Sequence, residues 1–554
     1  HIPPRSKSGR RTRVQTLVSR VPVVETGHSP DGEILVFHQK VEQMLSLIRR
    51  AFNLRQTGRI SPAASKLGCV EFVECWKSWT SWLLELVAEG KSALARRPRR
   101  CPLTNKFSEF VVTRCLHCCK TKSSRGRGTK WASLAFSLDQ TKRTLPPLPE
   151  AMRRKALDKH QMLLSTCPEP FTVFPIVDRI LNRYFPQNWA KRVQFSLYNA
   201  IPNTACLEGG SCRDALEPIG YRTVKGSPRA GFVPARQHFQ DVFDRLYMER
   251  TGEKELPVLR AVTVPDAGKF RVITIDSVEA KCLQPLQRAL AHRLSQFREF
   301  SYCQQEFKPE SLPMWFWKGR VPGKKLLSVD YSNATDGVDG SFMEELITSI
   351  IDRSGSFELQ CLRNVAAKEC RLGRRMENDL CGWRQRRGTL MGSLLSFPLL
   401  CLWNSAILAE AGLTHYLVCG DDALGWAGSQ EKEKWSGYSK DLGLVQSPGK
   451  TFWSDDFGTF CSRAIHSGGP IDHVNFGRFL GPLSGENFNK IPLKFRHLYK
   501  RYAFFPHGEF RPLQGPREIG GLGGETDDCK ISSRDLAALR LCNGRLRKQG
   551  QRHV

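Results

Sequence analysis

Three acidic residues carry the strongest chemical signal in this chain. An apolar, β-prone run, His415 to Cys419, enters a Gly420-Asp421-Asp422 corner, and a second apolar run leaves it. That pattern predicts a β-hairpin with two adjacent carboxylates at its tip. Adjacent carboxylates on a tight turn repel unless a cation lies between them. Mg²⁺ suits such a site because it prefers oxygen ligands and takes one or two carboxylates plus substrate phosphates. Gly and Asp are also ordinary turn formers, so the motif needs company. Company is found at Asp330, which ends a short apolar run from Lys325, with Asp336 five intervening residues on. An acid at one strand end can share a metal with an acid at another, so Asp330 is expected to face Asp421 in one sheet. Asp336 lies beyond the strand, where it can meet a sugar hydroxyl or serve as a helix-entry residue.

The cations are as ordered as the acids. Residues 259 to 275 read as strand, turn, strand, with Arg260, Lys269 and Arg271 projecting from the two arms. Three cations on a hairpin can clamp a triphosphate, Arg by forked hydrogen bonds and Lys as a point charge. A helix is expected from Ser277 to Phe297, and another from Ser341 to Arg353. Gly388 to Ser393 forms a glycine loop containing Gly392, which leads into an apolar helix bearing Ser396 and Asn404. Those two lie about 80° apart around the axis. A buried amide is costly without a partner, so Asn404 needs one, from a substrate hydroxyl, from Asp336, or from helix packing. Lys450 stands in a Ser447-Pro448-Gly449-Lys450-Thr451 turn, and Phe460 to Arg463 suggests a further hairpin.

These elements sit in a chain of 554 residues with 84 Lys and Arg against 54 acids, a net charge of +30. The length predicts about three lobes, and a field of that sign concentrates polyanions. Residues 91 to 130 hold twelve Lys and Arg and one acid, Glu109, as either a solvated run or a phosphate-tracking segment. The 19 cysteines are irregularly spaced, which fits reduced thiols rather than a disulfide scaffold. Cys115 and Cys118, with Cys101 and Cys119 nearby, could supply half of a zinc site, but no second pair follows at a convincing spacing. The longest apolar run is too short for a membrane span. The first residue is His, which suggests a processed chain or an incomplete reading frame, and the Arg- and Ser-rich start reads as a basic RNA-binding arm or a targeting segment. Helices are expected over Gln39 to Phe52, Val70 to Val87, Ala151 to Leu164, Val177 to Tyr184 and Gln237 to Arg250. The first two show packing residues and no chemistry.

The ordered set resembles the palm of viral RNA-dependent RNA polymerases. Asp-Tyr-Ser-Asn-Ala-Thr-Asp from Asp330, Gly-Thr-Leu-Met-Gly-Ser-Leu-Leu-Ser-Phe from Gly388 and Cys-Gly-Asp-Asp from Cys419 look like the levivirus, narnavirus, mitovirus and ourmia-like branch, with the ourmia-like (botourmia-type) polymerases closest. The match covers about residues 255 to 465, and the glycine stretch from Arg517 to Gly524 resembles one near the end of these enzymes. The resemblance implies an α+β right hand of fingers, palm and thumb, with an antiparallel-sheet palm and a basic N-terminal extension. Its divisions would be 1–199 for that extension and the outer fingers, 200–324 for the fingers, 325–470 for the palm with 355–387 partly in the fingers, and 471–554 for the thumb and basic tail.

It also implies roles. Asp330, Asp421 and Asp422 would hold two Mg²⁺ ions, with Mn²⁺ as an alternative. Lys450 would protonate the leaving pyrophosphate, and Arg260, Lys269 and Arg271 would bind the incoming NTP. Asp336, Ser396 and Asn404 would sense its 2′-hydroxyl, with Gly392 counted among the substrate-binding residues. Cys206 to Arg213 would lie where the template enters. The partners would be template and nascent RNA and NTPs, in a monomer acting in the host cytoplasm or mitochondrion with unidentified host factors. The genome replicated would be positive-strand RNA. A reverse transcriptase is the nearest rival, because Tyr331 is bulky and follows Asp330, where a DNA-making enzyme blocks the 2′-hydroxyl. A non-catalytic RNA-binding protein would explain the charge but not three aligned acids.

Overall fold

The computed structural model describes residues 30–120, 127–146, 148–167, 174–191, 204–207, 258–281, 283–466, 469–481, 484–499, 502–504 and 510–512. The basic arm at the start, the Gln237–Arg250 helix, most of the Cys206–Arg213 loop and the Arg517–Gly524 stretch lie outside them.

Four antiparallel strands carry the acids. Their order is Phe452–Ser454, Lys325–Val329, Asp422–Ala427, Tyr416–Cys419. The strands are almost wholly apolar because the sheet is covered. The helices Met343–Asp352 and Ser396–Glu410 share one large core with it, joined by Trp435 of the helix Ser429–Asp441. Ser396–Glu410 is apolar around its whole circumference and buried along most of its length, as expected of a helix enclosed by protein.

A second sheet carries the cations. Its order is Lys269–Ile275, Leu259–Asp266, Arg375–Glu377, Gly382–Arg384. All pairs are antiparallel except Leu259–Asp266 with Arg375–Glu377, which is parallel. Ala261 and Val272 bury one face of the hairpin against Leu157 of the helix Ala151–Ser165. The other face is left open.

The N-terminal helices Pro30–Phe52, Cys69–Glu89, Asn105–Lys120 and Arg127–Gln140 form a bundle of their own. Its core runs on into Phe452, Phe457 and the short helices Phe476–Leu480, Gly485–Asn489 and Leu493–Arg496, with Phe52 edge-on to Phe495. The expected helix from Ser277 to Phe297 is two pieces, Val278–Lys281 and Gln284–Ser295. The break has a local cause. Pro285 has no N–H and clashes inside a helix, but it is tolerated in the first turn, where it stands here. Among the described residues, no helix is long and apolar enough to cross a membrane.

Candidate active site

The Gly-Asp-Asp motif is the tip of a two-residue hairpin. Cys419 pairs with Asp422, leaving Gly420 and Asp421 as the turn. Gly420 has φ +68°, and Asp421 is not among the positive-φ residues, as in a type II′ turn, which favours Gly at its first central position. The turn is fastened from behind by Ser396–Glu410. Cys401 Sγ accepts from the Gly420 amide at 3.0 Å, and Asn404 Nδ2 donates to the carbonyls of Gly420 (3.2 Å) and Asp421 (3.0 Å).

Asp330 arrives on the adjacent strand. Val329 pairs with Ala423, so continuing the register places Asp330 beside Asp422 rather than Asp421. The Ser447–Thr451 turn wraps it. Ser447 Oγ donates to Asp330 Oδ1 at 3.1 Å, Lys450 Nζ to Oδ2 at 2.9 Å, and the Ser447 amide and Thr451 hydroxyl to its carbonyl. Lys450 is therefore paired with the first acid, not a solvated turn cation.

The two acids of the hairpin tip are held above their ordinary proton affinity. Burial, then the Asp330 charge, lifts the Asp421 carboxyl above its usual range. Burial, then Asp421 and Asp330, pushes Asp422 up to about 8. Oxygen donors with excess negative charge suit a hard divalent cation. Among the described residues, however, no group of three or more His, Cys, Asp or Glu is gathered closely enough to hold a metal ion in this arrangement, in which Lys450 sits on Asp330. Of the four cysteines considered for zinc, the side chains of two are described. Cys101 Sγ contacts Ser108 Oγ, Cys115 is buried in the helical core, and the side chains of Cys118 and Cys119 are outside the described set.

The hairpin register puts the cations on one face. Arg260 pairs with Ile275, Val264 with Arg271 and Asp266 with Lys269. Directly paired residues share a face, and so do alternate residues along a strand. Arg260, Lys269, Arg271 and Asp266 therefore all lie on the open side. Asp266 accepts from Arg271 Nε at 2.7 Å, and Lys269 Nζ is 3.8 Å from the same carboxylate. The Lys269 ammonium is pushed down by burial and by Arg271, and it also feels Lys450 and Asp330. Lys269 is thus within electrostatic reach of Lys450 and Asp330.

Of the three residues expected to sense the sugar, two are committed to backbone carbonyls. Asn404 spends its amide hydrogens on the Gly-Asp-Asp turn, and Ser396 Oγ donates to the Leu390 carbonyl at 2.7 Å. Neither contacts Asp336. Asp336 lies in the single turn Ala334–Gly337, buried, and its carboxyl is pushed up to about 6 by that burial. Gly392 is a backbone joint. Its φ is +125°, and a Cβ there would stand 2.2 Å from the Thr274 carbonyl. This close approach lets the Met391 carbonyl accept from the Thr274 amide, tying the glycine loop to the cation hairpin. Tyr331 is turned into the core. Its ring is 3% exposed, and its hydroxyl accepts from Trp435 Nε1 at 2.9 Å. Cys206 is buried, and the Leu207 amide donates to the Asp276 carbonyl at 3.0 Å.

Three features escaped the sequence reading. Lys77, on Cys69–Glu89, donates from Nζ to the Gly268 carbonyl in the cation hairpin's turn. One and two helical turns further on, Ser81 and Glu85 meet Gly449 beside Lys450. One helix face thus braces both cation-bearing turns. Behind the hairpin, buried Arg374 bridges Asp276 (2.8 Å) and Glu369 (2.8 Å). Burial holds the Glu369 carboxyl up at about 8, whereas Arg374 keeps Asp276 low. His160 Nε2 is 3.9 Å from Asp336 Oδ2, and burial depresses its pKa to about 4. The polar residues themselves are visible in the sequence, but most of their partners are distant in the chain.

The fold and the arrangement of the acids can be set beside known proteins. A solved chain from in situ structures of the segmented genome and RNA polymerase complex inside a dsRNA virus superposes with a TM-score of 0.50 at 10% identity, covering 77% of this chain and 43% of that one. At that identity the likeness speaks for the fold. The RNA-dependent RNA polymerase of Ourmia melon virus (isolate Melon/Iran/VE9) is 25% identical over 384 residues, 58% of this chain and 43% of the relative. The ourmia-like resemblance read from the motifs is borne out by this relative, of whose length the chain spans less than half. No family model matches the chain.

Proposed function

We propose that the chain is an RNA-directed RNA polymerase that copies a positive-strand RNA genome from NTPs, working as a right hand. The sheet bearing Asp330 and Asp422 would be the palm, the cation hairpin part of the fingers, and the short helices after Ile471 the start of the thumb. The observation that carries the proposal is the pairing of Val329 with Ala423, which brings Asp330, the residue after the first strand, next to Asp422, the first residue of the second, with Asp421 in the adjoining turn.

Asp330, Asp421 and Asp422 would hold the Mg²⁺ ions. When bound, such ions activate the attacking 3′-hydroxyl and neutralise the leaving pyrophosphate. Arg260, Lys269 and Arg271 would grip the triphosphate from the open hairpin face. Lys450, beside the first acid, would give its proton to the pyrophosphate. Asp336 keeps carboxyl capacity for a sugar hydroxyl, while Ser396 and Asn404 would shape the site by holding the glycine loop and the turn. The ourmia-like resemblance favours the host cytoplasm and a monomer.

Tyr331 weighs against the reverse transcriptase reading. Its ring packs beside Trp435 inside the core, so it supplies no wall against a 2′-hydroxyl. The test is incorporation of NTPs against dNTPs on an RNA template, with and without Asp421→Asn.

A further inference from the structure

The densest basic stretch of the sequence builds a cavity apart from the acids. It has a volume of about 860 Å³ and is lined by the end of Pro30–Phe52 and by the facing helices Asn105–Lys120 and Arg127–Gln140. Arg55, Lys106, Arg114 and Lys130 are exposed in its wall. The one acid there, Glu109, is already paired with Arg97 at 2.5 Å. Aromatic rings form the rest. Trp131 and Phe110 meet edge to face at 6.0 Å, with the Arg114 guanidinium 5.1 Å from the first ring and 5.4 Å from the second. Lys130 Nζ lies 5.1 Å from the Trp131 ring.

A solvated charge run would spread its cations around the surface. Here four converge on one concavity with half-exposed rings between them. Phosphates can take the cations, and a base can stack on Trp131 or Phe110 in place of a side-chain cation, because every base has a π-face. An acidic peptide would use the charges but not the rings. We propose that this cavity binds single-stranded RNA without sequence preference, as a holding site separate from the polymerising centre. Its charges act on the strand through phosphate contacts, so binding weakens steeply with salt.

The experiment is photo-crosslinking of a 4-thiouridine-substituted single-stranded oligonucleotide to the full chain, with peptide mapping, alongside fluorescence anisotropy over a salt series. Crosslinks are expected within residues 52–56, 105–117 or 130–140. Trp131→Ala is expected to weaken binding about tenfold, the scale of one lost stacked base. The surface double variant Lys106→Glu/Lys130→Glu, which leaves the core untouched, should weaken binding and flatten the salt slope by about 1.4, at roughly 0.7 per phosphate contact. NTP incorporation at saturating template should stay unchanged in both. Crosslinks confined to other peptides, or unchanged affinity and slope in the double variant, would overturn the proposal, as would capture of acidic peptides in preference to RNA. Binding is read without synthesis, so failure here and failure of the polymerase reading are separate results.

Discussion

Lys450 Nζ donates to Asp330 Oδ2 at 2.9 Å, joining residues 120 positions apart. The ammonium occupies a carboxylate oxygen that a divalent cation would need, so the two compete. Lys450→Ala should therefore reach half-maximal activity at a lower Mg²⁺ concentration than the parent. Turnover should nonetheless fall about 10²- to 10⁴-fold, the usual contribution of a general acid. A metal titration of incorporation rate checks both. Unchanged turnover would remove Lys450 from the chemistry.

Asn404 tests what the helix behind the turn is for. Its amide supplies both Nδ2 bonds to the Gly420 and Asp421 carbonyls. Removing it leaves buried acceptors unpaired, at a cost of about 1–3 kcal/mol. Asn404→Ala should lower the denaturation midpoint and the rate while keeping the preference for NTPs over dNTPs. If the preference collapses with stability intact, Asn404 reads the sugar directly.

Lys77 is proposed as a positioning residue acting through the Gly268 turn. Its ammonium is brought down to about 8, first by burial and then by Lys269, Lys142 and Lys450. Below that pH the charge is present, and above it the charge and its full bond to Gly268 are lost. Lys77→Met should raise KM for NTP about tenfold, the equivalent of a charged hydrogen bond worth ~1.5 kcal/mol, with little change in kcat. The parent's KM should climb as pH rises through 8, and the variant's should not.

How much of this was legible depended on chain distance. The Gly-Asp-Asp hairpin, the cation hairpin and the strand ending at Asp330 were readable because period, turn residues and charge spacing are local. The helix Cys69–Glu89 was readable as a helix but not as a brace. Its Lys77 acts on Gly268, and its Ser81 and Glu85 on Gly449, contacts that no local pattern encodes. An amide in an apolar helix signals that Asn404 needs a partner, yet its partners are two backbone carbonyls, which carry no sequence signature. The Arg374 triad was missed for the same reason as Lys77. Tyr331 was recognised as bulky, but only the packing against Trp435 shows which way it turns.

Acid should loosen the fold through His473. Burial is the main cause of its depressed pKa, about 3, and Arg463, Arg143, Arg478 and Lys494 add to it. Between the ordinary value of 6.5 and about 3, only the unfolded chain takes up this proton. Its contribution is therefore complete above pH 6.5 and is lost as pH falls, by up to about 1.4 kcal/mol per pH unit. His473→Gln should flatten the stability profile over that range, measured by denaturant unfolding. His160 is a poorer probe. Its neighbour Asp336, raised to about 6, binds a proton in the folded state and offsets it on the same descent.

The central claim is that the acids on these neighbouring strands perform templated RNA synthesis. The most direct measurement is nucleotide incorporation on an RNA template with Mg²⁺, offering NTPs or dNTPs to the parent and to Asp421→Asn. The account predicts NTP incorporation by the parent, little with dNTPs, and loss in the variant with RNA binding retained. Preferential use of dNTPs would make the protein a reverse transcriptase. Synthesis undiminished in Asp421→Asn, or RNA binding by the parent without any synthesis, would contradict the assignment of this site.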